Sequence, residues 1–291
     1  MMIMPDRSPR RLLAFTMLAI AVLPSAAGAD TEPATRILSI GGSVTEIVFA
    51  LGEADRLVAR DATSTYPVEA EGLPDVGYMR ALSAEGVLSV APNLILAEEG
   101  AGPPETIAIL EAADIPFVTV PDTTDAAGVL AKIRTVGEAL GVPDKAETLA
   151  REVEAELEAA IDAAAANGDE PKRVMFVLST QGGRIMASGT GTAAAGIIEL
   201  AGGVKAVTEF EGYKLMTDEA VAAAAPDVIL MMDRGGDHGA GDDELFSMPA
   251  IAPTPAAEAR AVVRMDGLSL LGFGPRTADV VRALSNALHG G

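Results

Sequence analysis

Few side chains in this chain can do chemistry. It has no cysteine, two histidines and three tyrosines, so thiolate nucleophiles and thiolate metal ligands are excluded. His289 stands at the C-terminal end, where a helix frays. His238 lies in Arg234-Gly-Gly-Asp-His-Gly-Ala-Gly-Asp-Asp243, a polar, glycine-rich loop that follows an apolar run. It is a candidate base or ligand, and its plainer reading is a solvated loop histidine. Asp242 and Asp243 are paired carboxylates, as an acidic composition alone would supply. There is no G-x-S-x-G elbow, no P-loop and no G-x-G-x-x-G after a strand, so hydrolysis and phosphoryl transfer lack a convergent set of residues. Tyr66 precedes Pro67 and reads as a packed loop residue. Tyr78 is different. It sits in Gly77-Tyr-Met-Arg80, just ahead of a helix start. A phenol titrates at about 10 and ligates a metal only as phenolate. A nearby guanidinium, or a ferric ion on the oxygen, favours that form. Phenolate is a known axial ligand of ferric haem. A Gly-Tyr-x-Arg loop by itself is equally the pattern of a structural tyrosine.

The elements that must position these residues follow from pattern. Residues 1–29 read as a secretory signal: Arg7, Arg10 and Arg11, then an apolar run from Leu12 to Leu23, then Ala27-Gly-Ala29 as a cleavage site. Cleavage after Ala29 is expected, with export to the periplasm. The run is too short for a comfortable membrane span. The whole chain carries a charge of −21, and removing residues 1–29 takes away a net +2 to leave −23. Such a surface repels nucleic acid and anionic membranes, so no nucleic-acid partner is expected. Without cysteine there is no lipobox tether and no disulfide.

Strands are expected at 36–40, 56–59, 94–97 and 117–120, alternating with helices near 43–51, 83–91 and 103–113. Ser43-Val-Thr-Glu46 has the form of a capping box. This alternation predicts an α/β lobe over 36–123 with a mostly parallel sheet. Residues 124–170 break the alternation as a helical linker. Within it Pro143 to about Ala166 reads as one helix of roughly 36 Å, long enough to bridge two lobes. Alternation resumes in 171–291, with helices near 191–201, 217–225 and 275–288 and strands at 173–179, 227–232 and 261–264.

The two lobes share a repeat. Glu85, Val87, Ala91, Pro92, Ile95 and Leu96 recur as Glu219, Val221, Ala225, Pro226, Ile229 and Leu230 at a constant offset of 134. Gly77-Tyr78 is echoed by Gly212-Tyr213, one residue out of step. A ligand in such an architecture sits between the lobes, at loops leaving the strand ends.

The run Gly77-Tyr-Met-Arg-Ala-Leu-Ser-Ala-Glu-Gly86 resembles the haem-ligand segment of periplasmic haem-binding proteins of bacterial haem ABC importers. Ser39-Ile-Gly-Gly-Ser-Val-Thr-Glu46, Leu178-Ser-Thr-Gln-Gly-Gly183, Met231-Met-Asp-Arg-Gly-Gly-Asp-His238 and Gly272-Phe-Gly-Pro-Arg276 agree in order. The resemblance covers essentially the whole chain after the signal. The wider group, which includes vitamin B12 and siderophore binding proteins, has two Rossmann-like lobes bridged by one long α-helix. The resemblance implies ferric haem b as the transported ligand, with Tyr78 as its axial ligand and Arg80 supporting the phenolate. It implies Arg234 as a basic residue facing the haem from the other lobe. Neither histidine lies in Ser179-Thr-Gln-Gly182, where a second ligand would be sought, so one haem is expected. Glu85 and Glu219 match the glutamates, one per lobe, that dock onto arginines of a dimeric permease with its ATPase. An outer-membrane haem receptor upstream, a monomeric state and the absence of catalysis complete the expectation. A corrinoid or ferric-siderophore carrier is the alternative, and a periplasmic enzyme built around His238 the more distant one.

Overall fold

The computed structural model describes residues 1–2, 34–167, 170–233 and 241–289. The signal-peptide reading, Arg234 and His238 lie outside the described residues. Everything below concerns Pro33–Gly291, a unit distinct from Met1–Glu32.

Residues 37–40 are all buried and form β1 (Ile37–Ile40). The chain continues through α1 (Gly42–Ala50), β2 (Leu57–Arg60), α2 (Ala84–Ser89), β3 (Leu94–Glu98), α3 (Pro104–Glu111) and β4 (Phe117–Val120). The sheet order is β2-β1-β3-β4, with every pairing parallel. Then come α4 (Ala126–Leu140) and α5 (Pro143–Ala165). The second lobe runs β5 (Arg173–Ser179), β6 (Ile185–Ser188), α6 (Ala193–Leu200), β7 (Val204–Lys205), β8 (Tyr213–Met216), α7 (Asp218–Ala224) and β9 (Val228–Asp233). It closes with α8 (Asp242–Ser247), α9 (Pro255–Ala259), β10 (Val262–Asp266), α10 (Gly267–Leu271) and α11 (Thr277–His289). Its sheet order is β10-β9-β5-β6-β8, with β7 beside β5.

This is the two-lobed α/β architecture, with one departure from a mostly parallel sheet. β6 pairs antiparallel with both β5 and β8. A turn at Gln181–Gly183, with Gly182 and Gly183 in the left-handed region at φ 66° and 73°, folds β6 back along β5. Only glycine takes two such residues at no steric cost.

The repeat is a repeat of structure. β1 pairs β3 in the register Ile37↔Leu94, and β5 pairs β9 in the register Val174↔Val228. Ser83 accepts a hydrogen bond from the Gly86 N–H, and Thr217 from the Ala220 N–H, so both short helices are capped alike. Ala91 and Ala225 end them at φ 47° and 41°, a left-handed turn unusual for a residue with a Cβ. An arginine preceding or opening the first strand of each lobe closes each unit. Arg36 donates to the Val90 and Ala91 carbonyls, and Arg173 to the Ala224 carbonyl.

The buried stripe of α5, Ala146, Ala150, Val153, Leu157, Ala160 and Ala164, is spaced to keep one helix face inward. That face packs on α4 and α11. Ala146 lies so close to Gly137 of α4 that a Cβ there would collide with it. Asn167 donates to Ser285 of α11 at 3.0 Å. One hydrophobic core runs from Ile37 and Leu96 of the first sheet, through α4 and α5, to Phe176 and Leu230 of the second.

Candidate functional site

The loop between β2 and α2 leaves the carboxyl end of β2, where parallel α/β sheets place their ligands. It is held tightly. Gly77, at φ 102°, donates to Asp75 at 2.8 Å and accepts from Ala62 at 2.9 Å. Met79 and Leu82 are buried in the first lobe's core with Val87, Ile95 and Leu110. The Met79 carbonyl accepts from Gly102, and the Leu82 N–H donates to the Gly102 carbonyl, both at 2.9 Å. Alternation around these anchors turns Tyr78 and Arg80 outward; Tyr78 is 50% exposed. A large aromatic ring at a rigidly held loop tip, with no part in the core, is free for a ligand.

The second lobe answers from its β8 edge. Tyr213 is half-buried, with its ring edge-on to that of Phe176 at 6.3 Å between centroids. Burial pushes its phenol up, against a hydrogen bond with Thr192 and the charge of Arg80. Tyr213 is an in-sheet residue rather than a copy of the Tyr78 loop, although Gly77 and Gly212 both take positive φ. Arg234, read from the sequence as a second basic residue at this face, lies outside the described residues.

Glu85 and Glu219 are exposed in the first turns of α2 and α7. The Glu219 carboxyl is held below its usual range by its own backbone N–H and by the Thr217 hydroxyl.

The capping box read at Ser43–Glu46 does not form. Gly41, not Ser43, precedes α1, and there is no side-chain cap. Ser43 donates to Glu98, and Glu46 is claimed by Arg276 from 230 residues away. Longer-range charged partners outcompete the local bond. Tyr66, read as packed, is 43% exposed.

Residues 37–267 match the family model described as "Periplasmic binding protein". The chain belongs to that family. The lobes are similar to those of solved relatives. The periplasmic heme-binding protein BhuT, solved in complex with two hemes, is 44% identical with a TM-score of 0.84, over 88% of this chain and 98% of that one. An uncharacterized ABC transporter substrate-binding lipoprotein, YvrC of Bacillus subtilis, is 30% identical over 200 residues, 68% of this chain. The chain spans only 63% of that relative's length. The vitamin B12-binding protein of Yersinia pseudotuberculosis is 26% identical over 224 residues, 77% of this chain and 78% of the relative.

Proposed function

We propose that this is the haem-binding component of an ABC importer, which captures ferric haem between its lobes in the periplasm and hands it to a permease. The observation that carries the reading is Tyr78, half-exposed on a loop whose following residues Met79 and Leu82 are buried in the first lobe's core. Tyr78 supplies the axial oxygen to the haem iron, and Arg80, exposed two residues on, supplies a positive charge that favours the phenolate. The likeness to BhuT supports haem over other tetrapyrroles. The likeness to B12-binding proteins supports a corrinoid as the second reading. We infer binding and delivery rather than turnover, by a protein made of lobes near 36–123 and 171–291 with the helical segment 124–170 between them.

Titration of the purified protein with ferric haem and, separately, with cobalamin tests this. Haem is expected to develop a Soret band and a high-spin tyrosinate spectrum, with no cobalamin bound at the same concentrations. The end-point counts equivalents: one from a single tyrosine ligand, against the two hemes of the BhuT complex. Cobalamin binding without haem binding would overturn the proposal.

Glu85 and Glu219 are proposed as the docking pair, related by the repeat and so matched to a two-fold permease. Glu85→Ala/Glu219→Ala is expected to bind haem as the wild type does while uptake by cells falls about tenfold or more, as for loss of two interfacial charge pairs. Uptake at the wild-type rate in that variant would remove the docking role.

A further inference from the structure

The run Gly272–Arg276 is assigned no part in the proposed binding of haem, yet it makes polar contacts with residues of the first lobe at both of its ends. It follows α10 at the carboxyl side of β10 and crosses to the carboxyl ends of β1, β3 and β4. There Lys132 of α4, fully buried, gathers partners from the first lobe: Ser43 at 3.0 Å, Asp122 at 2.8 Å and Glu98 at 3.4 Å. The Gly272 carbonyl of the second lobe accepts from it as well, at 3.0 Å, so four acceptors share three N–H donors. Next to it Leu268 packs so tightly on Gly42 that no Cβ fits there. Phe273, fully buried, takes φ 48°, an unfavourable conformation for an aromatic residue that persists only where the surroundings dictate it. Its ring tip reaches Gly196 of α6.

Three residues on, Arg276 enters the first lobe. Its guanidinium is bidentate on Glu46, at 2.9 and 3.1 Å, and its backbone N–H donates to the same carboxylate at 3.3 Å. The ring of Tyr66 covers the guanidinium from the other side at 3.5 Å. Glu46 is 6% exposed and Arg276 27%, so the pair is only partly screened by water. Bidentate charge-assisted bonds of this kind have strict geometry, and a cation against an aromatic face adds to it.

We propose that Gly272–Arg276 is a lobe lock: a buried seam at Lys132–Gly272 and a half-exposed latch at Arg276–Glu46–Tyr66 that hold the cleft at a preset width. Spreading the lobes strips Lys132 of a ligand it cannot replace with water and leaves the Glu46 carboxylate buried without its partner, a penalty that a hinge built on helix packing alone does not carry. A cleft fixed in advance saves the ordering cost of closure when ligand binds. The lock is indifferent to the ligand's identity and stands apart from the haem reading.

The absence of cysteine makes a direct test simple. Glu111→Cys in α3 and Glu258→Cys in α9, both at exposed positions, carry spin labels that report the distance between lobes. The wild-type background is expected to give one narrow distance population that ligand does not move. Glu46→Gln/Arg276→Met removes both charges at similar volume, and is expected to add a longer-distance population and to speed ligand release. Tyr66→Ala, which leaves both charges of the Arg276–Glu46 pair in place, is expected to shift the distribution the same way to a smaller extent, and it decides the matter if the double variant does not fold. A single unchanged population in the folded variants overturns the lock.

Discussion

Tyr78→Phe is expected to cost ferric haem binding about 100-fold or more, near 2.7 kcal/mol, and to abolish the phenolate-to-iron absorption. The substitution removes one oxygen and nothing else. Half the side chain is already in solvent, and the loop is held by Met79, Leu82 and the Gly102 backbone bonds rather than by the ring. Stability should therefore stay within about 0.5 kcal/mol, as for exposed substitutions generally. The ring can still lie against the porphyrin face, so residual weak binding without the charge-transfer band is the expected pattern. Tyr78→Ala loses that contact too and should bind more weakly again. Arg80→Ala should lower affinity less than either, because the iron keeps its ligand. Titration followed by absorption, with thermal melts of each variant, checks all three. An unchanged spectrum in Tyr78→Phe would remove this residue from the iron.

What the sequence made legible was local and periodic. The helix–turn–strand unit announces itself twice because one set of constraints built it twice: a hydroxyl cap at Ser83 and Thr217, a valine turned inward at Val87 and Val221, and a left-handed alanine before proline at Ala91 and Ala225. Position-by-position identity in so short a unit reflects shared geometry. The long helix α5 is readable for a similar reason, since a small-residue stripe over 23 residues has one compact solution. Tyr78 was legible from its place in Gly77-Tyr-Met-Arg80 just ahead of a helix start, and from the resemblance that this run carries.

The polar seam was not legible, because nothing in its neighbourhood encodes its partners. Lys132 is one lysine in an amphipathic helix, and its ligands come from 10, 34, 89 and 140 residues away. Ser43 and Glu46 fit a capping box at the right spacing, yet tertiary charges drew both away. A local rule fails there because the site is worth more to the lobe interface than to the helix end. The strands β6 and β8 escaped for a plainer reason: β6 turns back along β5 through Gly182–Gly183, and β8 meets β6 only across the intervening α6 and β7.

Lys132→Ala is expected to destabilise the fold by about 3–5 kcal/mol, the usual loss when one member of a buried ion cluster is removed and the others stay charged. The lysine is fully buried, while Glu98 and Asp122 are 11% and 27% exposed. Burial already pushes the Glu98 carboxyl up, Lys132 pulls it back, and Asp122 adds to the rise. The sign of the pH dependence follows. A carboxyl raised by folding binds its proton more tightly in the native state. Its contribution to stability is thus fullest below its unfolded value of about 4.3 and is lost as pH rises through the folded one. Without Lys132 that loss deepens, so the variant's deficit should be larger at neutral pH than in mild acid, where a proton takes the lysine's place. Lys132→Met/Glu98→Gln removes the cation and its most buried acid together, and should recover part of the deficit. Urea midpoints across pH for the wild type and both variants decide it. A midpoint unchanged in Lys132→Ala would mean that the Lys132 cluster carries no net stability.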